Sequence, residues 1–484
     1  LFRSESIVYF KSRIHHANWN ESECHTCGNV NPEQIFNIVE SSVIDEYGKL
    51  TDTRKISPKE WNQYFKEAKG KEKNINVSKN DLPRISFKVP NKIKQFCIFA
   101  KRDILKKLSD KQYLAINLVE APLLAFLLAF IIKYFDVDVA NQDGYTLSGN
   151  SNLPVYIFMS VIVAIFMGLS VSAEEIIKDR KILKREAFLN LSWSGYLYSK
   201  VFVQFILSAI QAATFVLIGN SIMEIKGMYF EYWIVLFSAW ACSNVMGLLI
   251  SDSFKTVVTI YILIPFLVIP QIILSGVIVK YEKLNPDISS PSSIPVYGEL
   301  MTARWAYEAL ATYQFMENDY QRRYYRKDKL ISNASFKQNF LLQDLMNKMR
   351  FAEKNFHKPE EKEHLKYIYD LVRKELIKEH KYRQDLRKEE ESISVEQFSD
   401  IDKLRAKTIN LPTIRKTIKY LDHLMSFYGR LYKYVYNRKS NQKMQEDPNF
   451  IAELKRNHFN ESLEEFVTNK NEFQRIVEYN GELI

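Results

Sequence analysis

Four groups of residues have the types and spacing to do chemistry. Cys24, His25 and Cys27, with His15 and His16 upstream, combine a CxxC with imidazoles, a ligand set that can close a tetrahedron around zinc. The two halves lie close together and no second CxxC follows, so Cys24 and Cys27 read first as reduced thiols in a docking loop and only second as a metal site. Glu120 stands about seven residues into an apolar run, near Asn117 and Pro122. A carboxylate at such depth is costly and is by default a functional group, either carrying a proton or meeting a ligand, unless it snorkels to the interface or pairs with a neighbouring basic helix. Gln204, Ser208 and Gln211 recur at i, i+4 and i+7, on one helix face, and Pro265, Pro270 and Gln271 interrupt a later apolar run. Such groups either join helices by hydrogen bonds of about 0.6–2 kcal/mol or line a wet path with freed carbonyls. The segment DRKILKRE (179–186) offers Asp179, Arg180, Arg185 and Glu186 to a complementary charged surface; its plainer reading is a solvated charge run that fixes topology. A phosphate-cradling GxxxxGK[ST] loop does not occur, so these residues do not use ATP by themselves.

The elements that must position these groups are mostly helices in lipid. Among 484 residues 26% are charged, yet residues 113–279 hold several apolar runs of membrane-spanning length. Five spans are expected at about 113–134, 154–173, 196–218, 230–250 and 256–279, each near the roughly 20 residues that cross a hydrocarbon core. Backbone polar groups in lipid must pair internally, so the spans are helices. Residues 88–112 place Ile93, Phe96, Phe99, Ile104, Leu105 and Leu108 at helical spacing among lysines and Arg102, which predicts a basic amphipathic helix with its cations toward anionic headgroups. The loop 135–153 has no Lys or Arg, whereas 174–186 has five, so the second loop is expected in the cytoplasm and residue 280 outside. The net charge of +10 comes from basic residues that alternate with acidic ones outside the apolar runs, which argues against nucleic acid as a partner.

Beyond about residue 319 the sequence turns charged and helix-favouring. Leu365, Ile368, Leu371, Val372 and Leu376 make one apolar stripe, and Ile414, Ile418, Leu421, Leu424, Met425, Phe427 and Leu431 another. A helical hairpin or bundle of about four helices is expected over 319–484, outside the membrane. The fold class is therefore an all-α membrane protein with five visible transmembrane helices and a large soluble helical insertion.

Several stretches resemble one family. DRKILKRE (179–186), with Tyr196, Tyr198 and Lys200 after it, resembles the acidic-Arg, spacer, Arg-Glu pattern after the second span in the G subfamily of ABC exporters, whose membrane domain is of the ABC-2 type. NPEQIFNIVE (31–40), IKQFCIFAKRDI (93–104) and MTARWAYEAL (301–310) are similar to its Asn-Pro segment, its connecting helix and its segment beyond the fifth span. Asp179 stands where that family has Glu, and no sixth apolar run occurs. The resemblance implies residues 1–87 as a cytoplasmic linker, 88–112 as a connecting helix, 113–318 as the transmembrane domain and 319–484 as an extracytoplasmic insertion. It further implies six spans, a nucleotide-binding domain before residue 1 with ATP and magnesium on it, and a second transmembrane subunit, most simply a homodimer; the expectation is a fragment lacking that domain and the last span. Function is then export of a lipophilic or amphiphilic substrate across a plasma or inner membrane, with Asp179, Arg180, Arg185 and Glu186 coupling to the nucleotide-binding domain and Glu120, Gln204, Gln211 and Gln271 as the candidate translocation pathway. The alternatives are a membrane-anchored scaffold or receptor whose helical domain binds partners without transport, and a secondary transporter with Glu120 as proton carrier, which would need an internal symmetry the sequence lacks.

Overall fold

The structure, a computed structural model, describes residues 4–14, 33–46, 48–70, 90–134, 144–186, 191–290, 293–389, 397–469, 476–479 and 481–483. Cys24, Cys27 and the histidines around them lie outside the described residues. The chain divides into two units, Leu1–Val89 and Pro90–Ile484.

The first unit contains α1 (Ser4–Arg13), α2 (Glu33–Val39), the antiparallel pair β1 (Ser42–Ile44) and β2 (Leu50–Arg54), and α3 (Pro58–Gly70). Ser57 and Glu60 start α3 with a capping box: the Glu60 N–H donates to the Ser57 hydroxyl at 3.3 Å and the Ser57 N–H to the Glu60 carboxylate at 2.7 Å. Phe10 and Trp61 pack with ring centroids 5.2 Å apart, and Ile7 is buried.

The second unit begins with α4 (Lys92–Ser109) and α5 (Lys111–Ile132), separated by Asp110, whose carboxylate accepts from the Tyr113 N–H. Then come α6 (Leu153–Ser172), α7 (Glu175–Glu186), α8 (Trp193–Met223), α9 (Tyr229–Ser253) and α10 (Val257–Ile273). Helices α5, α6, α8 and α9 are long and apolar enough to cross a membrane. With α10 they make the chain an all-α integral membrane protein. Helix α10, at 17 residues, is shorter than the expected span over 256–279. It ends because Gly276 turns the chain with φ +78° and the Tyr281 hydroxyl folds back onto the Leu274 carbonyl at 2.9 Å. Helix α6 is the most enclosed of the spans. Its contact with α9 is close because Gly168 and Gly247 have no side chain: a Cβ would lie 2.6 Å from the Trp240 carbonyl and 2.9 Å from that of Leu169.

After the short α11 (Val296–Glu299), α12 (Thr302–Met316) buries Ala303, Ala306, Tyr307, Leu310 and Ala311 against the spans. The remaining helices are α13 (Gln321–Phe336), which passes through a π-helical turn (Lys337–Leu341) into α14 (Leu342–Asn355), then α15 (Lys362–Glu389), α16 (Leu411–Gln445), α17 (Pro448–His458) and α18 (Glu461–Thr468). A hairpin of β3 (Glu478–Tyr479) and β4 (Glu482–Leu483) packs on α15. The two stripes read from the sequence meet in one core: Leu365, Ile368, Val372 and Leu376 of α15 against Ile414, Leu421 and Leu424 of α16. The end of this region is not separate from the spans. Phe459 and Leu463 bury in the same apolar cluster as α6, α9 and α12. The Asn460 carboxamide donates at 2.7 Å to the carbonyls of both Leu147 and Asn150, just before α6. Helix α7 leaves the other end of α6, so α18 and α7 lie at opposite ends of that span.

Candidate functional site

Helices α4, α7 and α8 converge on a buried group of charges. Lys200, two turns into α8 and 2% exposed, places its ammonium 2.5 Å from Asp103 of α4, 2.9 Å from Asp179 and 3.1 Å from Glu175, both of α7. Lys107 joins Glu175 at 2.8 Å, Lys106 joins Asp179 at 2.8 Å, and the Tyr196 hydroxyl donates to Asp179 at 3.2 Å. Three carboxylates thus face three ammoniums. The balance matters because an unpaired ion in this setting costs several kcal/mol, so removing one partner is far more damaging than the net worth of the group.

Helical spacing makes the group. Asp103, Lys106 and Lys107 share one face of α4, Glu175 and Asp179 are i and i+4 on α7, and Tyr196 and Lys200 are i and i+4 on α8. Around the charges Phe99 meets Tyr196 edge to face at 5.7 Å, and Phe96 meets Phe202 in the same way. Three of the α4 cations, Arg102, Lys106 and Lys107, turn to carboxylates rather than to headgroups: Arg102 binds Glu186 at 2.8 Å. A cleft of about 350 Å³ opens beside the charges, with Arg102, Ile182 and Glu186 on its walls.

Helix α7 is also fixed to α9. The Ser251 hydroxyl accepts from the N–H groups of Ile176 and Ile177 at 3.1 Å each, satisfying donors that a helix start leaves open. Arg180 donates to the carbonyls of Ser251 and Asp252 at the end of α9, where a cation is favoured. Of the four residues singled out on this segment, Asp179, Arg180 and Glu186 therefore hold α7 in place. Arg185 is exposed with Lys181 and Lys184, and none of the three makes an ion pair among the described residues.

The other polar candidates are not brought together. Gln204 and Gln211 share the buried face of α8 with Ser208: Gln211 donates to the Asn117 carbonyl of α5 at 3.0 Å, and Asn244 of α9 donates to the Ser208 hydroxyl. Gln271 lies at the far end of α10, where its carbonyl oxygen accepts from the Ala303 N–H at 2.9 Å and caps α12. Glu120 is half-buried and makes no ion pair among the described residues. Among the described residues no group of His, Cys, Asp and Glu could hold a metal ion.

Asp103, Lys107, Glu175 and Lys200 were not candidates from sequence. Two signals mark them: Asp103 is the one acid amid the lysines of 92–107, and Lys200 is the one cation inside the apolar run of 196–218.

The family model described as ABC-2 type transporter matches residues 94–315. These bounds run from α4 to α12, taking in the charge cluster and stopping before α13. The ABC transporter ATP-binding/permease protein Rv1747 of Mycobacterium tuberculosis is 25% identical over 227 residues, which is 45% of this chain and 25% of that protein. The chain thus spans about a quarter of the length of this curated relative. With four membrane-length helices, the α4–α7–α8 junction and α12 all inside the matched range, residues 94–315 form a membrane domain of the ABC-2 transporter type.

Proposed function

We propose that the chain is the permease part of an ATP-driven exporter similar to the G subfamily, which works with a nucleotide-binding domain carrying ATP and magnesium and with a second transmembrane subunit, and which moves a lipophilic or amphiphilic substrate out of the cytoplasm. The observation that carries this reading is the way α7 is held. It is clamped to α4 and α8 by Lys106, Lys200 and Arg102 and to α9 by Ser251 and Arg180, while Lys181, Lys184 and Arg185 face outward. A short helix tied this way transmits a push on its exposed face to two spans and to the helix before the first. Its row of cations suits an acidic surface on a partner. The name of the mycobacterial relative joins an ATP-binding and a permease part in one protein, which supports the same pairing here.

The test is made in the full-length protein reconstituted in liposomes. Reversing Lys184 and Arg185 to Glu, both exposed, leaves assembly intact and separates ATP hydrolysis from substrate movement. Unchanged coupling in the double variant overturns the assigned contact; absence of any ATP dependence in the wild type overturns the exporter reading and favours a scaffold.

A further inference from the structure

The turn after α10, helix α12 and helix α18 enclose a cavity of about 250 Å³. It is smaller than the roughly 300–1,000 Å³ of sites for drug-sized ligands, so it takes a head group rather than a whole amphiphile. Phe466 on its wall comes from α18, beyond the range 94–315 of the ABC-2 type match, so the cavity arises where the helical region meets the membrane domain.

Its walls are aromatic. The Tyr307 and Phe466 rings stand at 89° to each other with centroids 5.6 Å apart, and Tyr281 lines the same space. The Tyr281 hydroxyl donates to the Leu274 carbonyl and the Tyr307 hydroxyl is buried, so both tyrosines offer ring rather than hydroxyl to the cavity. Val277 and Ile294 add apolar carbon.

The charge on the wall is negative in sum. Arg304 binds Glu299 at 2.8 Å and Glu308 at 3.0 Å, so two carboxylates answer one guanidinium, and Glu308 lines the cavity. Lys280 lines an adjoining cavity and not this one, and its ammonium donates to Asn469 at 2.8 Å. Aromatic faces attract a cation through the ring quadrupole, and methyl groups on that cation pack on apolar carbon without needing hydrogen bonds. The surplus carboxylate balances its charge and repels an anion. We propose that this cavity binds a trimethylammonium head, carried by a membrane phospholipid or by a free organic cation. The inference stands apart from the exporter reading.

The test titrates the whole chain calorimetrically in dodecyl maltoside, which carries no such head, with empty micelles subtracted. The probes are choline, its neutral isostere 3,3-dimethylbutanol, and the short-chain lipids dihexanoylphosphatidylcholine and dihexanoylphosphatidylglycerol. Saturable binding of a trimethylammonium probe is expected, with the neutral isostere weaker by about tenfold or more. A lipid source makes the phosphatidylcholine bind more tightly than choline; a free source makes choline bind at least as tightly as the lipid. Phe466→Leu keeps the bulk without the ring and lowers affinity about tenfold, whereas Phe466→Tyr retains it. Glu308→Gln removes the surplus charge and lowers affinity about five- to tenfold. Phe466 and Glu308 are both exposed, so the fold does not depend on them. No saturable binding of either trimethylammonium probe, equal binding of the isostere or of the phosphatidylglycerol, or indifference to Phe466→Leu or Glu308→Gln overturns the proposal.

Discussion

The Lys200 ammonium lies 2.5 Å from the Asp103 carboxylate, joining the third span to the helix that precedes the first. Because Glu175 and Asp179 share that ammonium, its loss leaves three carboxylates to two lysines. Lys200→Met is expected to destabilise the membrane domain by about 3–5 kcal/mol, the usual cost of breaking a buried pair from one side. Lys200→Met/Asp103→Leu restores the charge balance and recovers part of that loss. Thermal unfolding of the purified variants measures both; a double variant no more stable than Lys200→Met removes the pairwise link.

Asn460 provides the second joint. Its carboxamide donates to two carbonyls of the segment before α6 while its oxygen accepts from the Leu463 N–H, so a single side chain both starts α18 and docks it. Asn460→Ala leaves those carbonyls buried without this donor, at about 1–3 kcal/mol. Hydrogen exchange should quicken in 448–468 and 147–153 and stay unchanged in the core of α15 and α16. Uniform protection across all of these segments would show that the contact holds nothing.

How much of this was legible in the sequence follows from what each element buries. The four long spans were plain because a hydrocarbon solvent demands about 20 apolar residues regardless of neighbours. The end of α10 was not, since LSGVIV (274–279) continues the apolar run and hydropathy does not register a turn at Gly276. Helix α12 read as an outer segment because Arg304, Glu308 and Gln314 dilute it, yet its alanine face packs on the spans and Arg304 is neutralised by Glu299 and Glu308. The charge cluster was half-legible. The acids and bases of 174–186 stood out, but their partners came from other helices, 25 residues on for Glu175 with Lys200 and 73 and 84 residues back for Asp179 with Lys106 and Glu186 with Arg102, and ion pairing between helices leaves no periodicity. That is why Asp179 and Glu186, expected to face a partner, are turned inward.

Gln204 separates packing from passage. Both polar atoms of its carboxamide are buried without a hydrogen-bond partner among the described residues, whereas Gln211 and Ser208 are bonded across helices. A buried polar group in that state costs about 1–3 kcal/mol, so Gln204→Leu is expected to raise the melting temperature, and Gln211→Leu, which breaks a bond to α5, to lower it. Thermal unfolding reads the sign. If Gln204 lines the substrate path, the stabilised variant loses transport in the full-length protein; retained transport makes the seam a packing feature only.

The last expectation concerns sidedness and joins the charge pattern to the docking of α18. With five cations in 174–186 against none in 135–153, α7 is expected in the cytoplasm by the positive-inside rule. Asn460 holds α18 to the segment at the opposite end of α6, α16 leads through α17 to α18, and α13 and α14 pack on α16. The charged helical region is therefore expected outside, and its own basic residues do not oppose this, because long segments translocate largely regardless of charge. Met444 on α16 is 80% exposed and suits a reporter. In a background with the native cysteines replaced by Ser, Met444→Cys should react with a membrane-impermeant maleimide added to intact cells, and Arg185→Cys only after lysis. The reverse pattern inverts the topology and, with it, the direction of transport; labelling of both sites in intact cells means that α6 does not separate two compartments.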